Sequence, residues 1–190
     1  LELTSDLTLS SDAAMVFDTF TPNAKDLELA SGSTAEVSLG NLNIASSNLN
    51  VKGGTLNITG GSVGANGELE IGGSGKLKLG GNLAVTGTIN FNDGAITTFA
   101  GNKIDVSGGT FKLAGTHSLD SITTNDQTKL QINNSANVSR SDAGTSTLGS
   151  LTYSQSGNSG SLSLSVSNMG LTIVSAMQVS GASLSHSNGI

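Results

Sequence analysis

The feature that most constrains this chain is a three-residue unit, apolar–polar–apolar, followed by glycine or a small polar residue and repeated through its middle. It reads Leu42-Asn43-Ile44, Leu49-Asn50-Val51, Leu56-Asn57-Ile58, Leu69-Glu70-Ile71, Leu77-Lys78-Leu79, Leu83-Ala84-Val85, Ile89-Asn90-Phe91, Ile104-Asp105-Val106 and Phe111-Lys112-Leu113. Alternation with period two sends both apolar residues of a unit to one face and the middle residue to the other. The units are too short for helices, and their β-branched content suits strands. The pairs Gly53-Gly54, Gly60-Gly61, Gly72-Gly73, Gly80-Gly81 and Gly108-Gly109 fall between them. Glycine admits the positive φ that a sharp corner needs.

A longer period lies over the short one. Starting from Leu42, similar units recur at Val63, Leu83 and Ile104, with offsets of 21, 20 and 21. From Leu49 they recur at Leu69, Ile89 and Phe111, with offsets of 20, 20 and 22. A third series, Leu56, Leu77 and Ile96, has offsets of 21 and 19 before blurring towards Leu119. Three columns sharing one repeat mean three short strands per turn of roughly 20 residues, each turn burying its inward residues against its neighbours. The spacing predicts an all-β chain folded as a single-stranded parallel β-helix, a β-solenoid. An antiparallel sandwich would space its turns at about 8–12 residues, and strand starts here are closer than that. Residues 27–138 hold between five and six turns of this length. Outward positions then fall in lines, one of them Asn50, Glu70, Asn90 and Lys112. A line of identical charges at strand spacing would repel itself, which fits a charged fraction of only 12%.

The 190 residues are read as one elongated solenoid domain, with 1–26 an atypical first segment, 27–138 the regular coils, and 139–190 a Ser/Thr/Gly-rich loop followed by terminal strands. Residues 11–20 hold Met15, Phe17 and Phe20 and read as a loop over the flank or a short helix capped by Ser11 or Asp12. The chain begins at Leu1, which is read as a processed or excised start.

Composition excludes several functions. The net charge is −6 and Arg140 is the one arginine, so nucleic-acid binding through phosphate neutralisation is not expected. No apolar run is long enough to cross a membrane as a helix. Cysteine is absent, which removes disulfides, thiolate metal sites and cysteine nucleophiles. Of the two histidines, His117 follows Gly115-Thr116 and reads as an exposed turn residue, and His186 as part of a solvated tail. Glu68, Glu70 and Asp105 form no paired acid and base, so no catalytic residue is expected. Gly72-Gly73-Ser74-Gly75 half-matches a calcium-binding nonapeptide, but Lys76-Leu77 stands where the acidic ligand belongs. Gly60 to Gly67 lacks the Gly-Lys-Ser/Thr ending of a phosphate loop. The expectation is no catalytic, cofactor-binding or metal-binding residue, and no cofactor.

The strings Gly54-Thr55-Leu56-Asn57-Ile58-Thr59-Gly60-Gly61 and Gly108-Gly109-Thr110-Phe111-Lys112-Leu113 resemble the coils of bacterial autotransporter passengers and of secreted adhesins of the filamentous-haemagglutinin type. The resemblance covers about residues 27 to 138 and rests on repeat grammar. It implies export to the cell exterior, a right-handed β-helix, and a non-catalytic role as a surface adhesin or passenger module. The expected partners are a host or cell-surface ligand, or further copies through the solenoid ends. A self-assembling subunit of an extracellular filament or sheath is the alternative. A polysaccharide-cleaving β-helix would want clustered charges and aromatic platforms, and the chain has one tyrosine, Tyr153. Ice binding would want regular Thr columns, which Thr97-Thr98 and Thr123-Thr124 do not form.

Overall fold

The structure is a computed structural model that describes residues 2–92, 95–142, 144–153, 164–167 and 169–179. Among these the chain is all-β, without a helix, and every strand pairing is parallel. It winds as a β-solenoid of roughly 20 residues per turn, with three walls visited in order. The first wall begins with Leu7–Leu9, Leu27–Leu29, Asn48–Val51, Glu68–Ile71 and Thr88–Phe91. It continues through part of each of the long strands Thr110–Ser118, Lys129–Ser139, Thr145–Tyr153 and Gly170–Val179. The second wall holds Ala14–Phe20, the first half of Glu36–Ile44, then Thr55–Ile58, Lys76–Leu79 and Ile96–Thr98. The third holds the end of Glu36–Ile44, then Gly61–Val63, Leu83–Val85, Ile104–Asp105 and Ile122–Thr123.

The core follows from the alternation. On the first wall Leu7, Leu27, Leu49, Leu69, Ile89, Phe111, Leu130, Leu151 and Met177 stand in one unbroken register. From Leu27 to Leu151 each of them is at most 2% exposed. The expected column Leu49–Leu69–Ile89–Phe111 is therefore the middle of a longer one. Each such side chain contributes about 1.5–3 kcal/mol relative to exposure. A coil alone could not cover these residues, so burial is achieved only by stacking.

The other two columns are corrected in register. Leu42 stands over Gly61, and Val63 lies two residues further along, between Ile44 and Val85. Gly61 has φ +136° and a Cβ there would run into the Leu42 carbonyl, so the backbones are held too close for any side chain. In the remaining column Leu77 pairs with Thr97 and Ile96 with Lys76. A slip of one residue exchanges the two faces of a strand.

The ends also differ from expectation. Ala14–Phe20 is neither helix nor loop but a strand paired to Glu36–Ile44, with Phe20 fully buried and Val16 79% exposed. Leu7–Leu9 is already laddered to Leu27–Leu29, so stacking begins before residue 27. Residues 139–160, whose Ser/Thr/Gly-rich sequence reads as irregular loop or a loose coil, include the nine-residue strand Thr145–Tyr153. His186 and residues 154–163 lie outside the described residues.

Candidate binding cleft

The outward face of the first wall shows what the regular coils do with their polar residues. The line foreseen from the sequence is present: Asn50 pairs with Glu70, Glu70 with Asn90, and Asn90 with Lys112. Its carboxylates are consumed by neighbours one or two turns away. Asn90 Nδ2 donates to Glu68 at 3.4 Å and Glu70 at 3.3 Å, Asn92 Nδ2 to Glu70 at 2.9 Å, and Lys112 Nζ to Glu68 at 3.1 Å. Lys52 Nζ donates to Glu28 at 2.7 Å, and that bond raises the Lys52 ammonium above its ordinary value. Asp105 caps a turn by accepting from the Ser107 N–H at 3.0 Å. A carboxylate spent in this way is poorly placed to act as acid, base or metal ligand. Gly72 to Gly75 make a corner, with Gly73 at φ +57°. Among the described residues no group of three or more His, Asp or Glu side chains is arranged to hold a metal ion.

One coil breaks the regularity. Between Ile104 and Ile122 the third wall advances in 18 residues, against 21 between Leu83 and Ile104. The shortening has a local cause. In the coil before, the chain leaves the first wall at Phe91 and spends four residues before the next strand starts at Ile96. In the short coil it leaves at Leu113 and re-enters pairing at Gly115, across a bulge at Ala114. Gly115 takes φ +86°, which lets the strand bend without a corner loop. Among the described residues, 115–118 therefore ladder only with 136–139, and Ile96–Thr98 only with Lys76–Leu79. The second wall is open between them. The strand before the gap also ends early, because Ala100 and Gly101 turn at φ +48° and +83° and the Asn102 side chain takes the Leu79 carbonyl at 3.1 Å.

The opening is a cleft of about 500 Å³. One side is the row Ala95, Thr97 and Phe99, which alternation would otherwise turn into the core. Phe99 packs part of its ring on the core and lends the rest to the cleft. The other side is Thr116, His117, Ser118 and, at the corner, Asp120. His117 is the largest departure from the sequence reading. It is 8% exposed, in a strand rather than a turn, tilted against Phe91 with ring centres 5.7 Å apart. Phe91 in turn meets Phe111 edge-on at 5.6 Å. The His117 Nε2 lies 2.7 Å from the Ala114 carbonyl, so in the neutral ring Nε2 carries the hydrogen and Nδ1 is left as an acceptor. Asp120 accepts from the Ser141 N–H at 2.7 Å and the Ser118 hydroxyl at 2.9 Å, and these bonds hold its carboxyl below the usual carboxylate range.

A smaller opening of about 180 Å³ adjoins on the third wall, where the strand Ile122–Thr123 has no ladder to Thr145–Tyr153. It shares Asp120, and Lys103 and Arg140 reach it. Ser146, 3% exposed, lines it, and its hydroxyl has no hydrogen-bond partner among the described residues. Chemically the larger opening offers an aromatic face, hydroxyls and fixed acceptors, and the smaller one adds the cations Lys103 and Arg140.

Compared with known families, curated proteins and solved structures, the chain matches none.

Proposed function

We propose that this chain is a non-catalytic module of an extracellular bacterial surface adhesin or passenger, a rod that carries a binding cleft and engages a host or cell-surface ligand. The observation that supports this most is the contrast between the regular coils and the single short one. Along the first wall, side chains are used up in ladders from turn to turn, which suits a stiff scaffold. At the short coil an inward-facing row is uncovered instead, next to acceptors held in place by backbone bonds. Scaffold plus interruption is the division of labour expected of a binding module on a rigid support. The resemblance of the coil grammar to exported passengers adds the location, outside the cell.

The reading is tested by coupling the purified chain to beads and measuring saturable adherence to host or bacterial cells. Adherence competed by free chain supports it. Turnover of a glycan, abolished by Glu70→Gln, would replace it with an enzyme.

A second reading, a self-assembling filament or sheath subunit, is favoured by one feature. Among the described residues Leu7–Leu9 is laddered along one edge, and Val16 of the strand Ala14–Phe20 faces outward, 79% exposed. An open strand edge is a template for another chain. Light scattering across a concentration series separates the readings, since a subunit of this kind grows and an isolated module does not.

A further inference from the structure

The geometry points to a neutral sugar residue of a glycan as the ligand of the 500 Å³ cleft, seated on Phe99 with its hydroxyls turned to Asp120 and His117. The cleft lies within the roughly 300–1,000 Å³ of ordinary small-ligand sites. Two of its polar groups, Asp120 and His117, are fixed acceptors. Asp120 already accepts from Ser141 at one carboxylate oxygen and from Ser118 at the other, and the lone pairs left on each can take only donors. His117 has committed Nε2 to Ala114 and offers Nδ1 as a second acceptor. Thr97 and Thr116 can donate or accept. A ligand that satisfies this set must be rich in O–H donors. It must also present an apolar face, because Phe99 gives the cleft an aromatic surface that no hydrogen bond can serve. A pyranose has both, with ring C–H groups on one face and hydroxyls around the rim.

The alternatives fit less well. A phosphate, sulfate or carboxylate would be brought against the Asp120 charge, and the nearby cations Lys103 and Arg140 line the adjoining opening, not this cleft. An extended peptide could bond to the free edges of Ile96–Thr98 and 115–118, but it would leave the ring face of Phe99 and the Asp120 acceptors without specific partners.

This inference rests on the adhesin reading only in supposing a glycan-bearing surface, and the experiment separates the two. The full chain is screened on an array of neutral, sialylated and sulfated oligosaccharides, and saturation-transfer NMR with the best neutral probe follows. Phe99→Leu and Asp120→Asn should each weaken binding at least tenfold, Phe99→Tyr should retain it, and Lys52→Ala on the first wall should leave it unchanged. Circular dichroism of every variant establishes that the fold is kept, and the Leu/Tyr pair at 99 distinguishes ring stacking from core packing. Neutral-sugar binding lost in Phe99→Leu but kept in Phe99→Tyr supports the assignment, whether or not the chain adheres to cells. Neutral-sugar binding unaffected by Phe99→Leu and Asp120→Asn overturns it while leaving the adhesin reading intact. Preference for sialylated or sulfated probes, no signal from any neutral probe, or a peptide that protects the cleft also overturns it.

Discussion

Ile89 sits between Leu69 and Phe111 with no exposed surface, on the wall where pairing never lapses. Ile89→Val should cost about 0.5–1.5 kcal/mol in urea unfolding. Ile89→Asp should leave no folded protein at neutral pH, because an unpaired charge would enter a dry stack. An unchanged midpoint for the aspartate variant would mean that the column is not buried. Glycines separate in the same way. Gly61 has φ +136° against the Leu42 carbonyl, whereas a Cβ on Gly60 meets nothing nearer than the Asn82 carbonyl at 3.7 Å. Gly61→Ala should lose about 1–3 kcal/mol and Gly60→Ala much less, read from paired melting curves. At this scale the sequence was legible where alternation and repeat agree, as in the Leu49 column. It was misleading at Val63, because nothing in a lone Gly-Ser-Val reveals which of its residues the neighbouring coil will face.

Among the elements, the corner after Lys129–Ser139 shows how the irregular coils are fastened. Arg140 donates from Nε and Nη2 to the two oxygens of Asp142, at 2.8 and 2.7 Å, and from Nη1 to the Leu119 carbonyl of the previous turn at 3.3 Å. The Gly144 N–H adds a bond to Asp142 at 2.9 Å. The Arg140 bonds first, and then that backbone bond, hold the Asp142 carboxyl well below its ordinary value of 3.8. A group held lower in the folded state stabilises it fully above the unfolded value and loses that effect as pH falls towards the folded value. Asp142→Asn should therefore melt a few degrees below the parent at pH 7, and the gap should close as pH is lowered below about 4. A gap as wide at pH 2 as at pH 7 would contradict the pairing. The elements that sequence reading missed share one cause. Ser11-Asp12-Ala13-Ala14 has the form of a helix cap, yet the Glu36–Ile44 strand, far along the chain, recruits Ala14–Phe20 by pairing. Gly115 does take the positive φ that suggested a turn at His117, but it bends a strand at a bulge instead of ending it. The cleft depends on that bulge, so composition and spacing alone could not show it.

At the scale of the molecule, among the described residues, the first wall is continuous from Leu7 to Val179 while the second opens between Ile96–Thr98 and 115–118. A rod built this way is stiff along one face and locally accessible on another, which is why the functional reading centres on the short coil. Residue-resolved hydrogen exchange tests that asymmetry most directly. Amides of 88–91 and 110–113, laddered on both sides, should be among the slowest in the protein, and the cleft-facing amides of 96–98 and 115–118 should exchange orders of magnitude faster. Equal protection of the two sets would mean that the second wall is closed at this coil and that there is no cleft to fill.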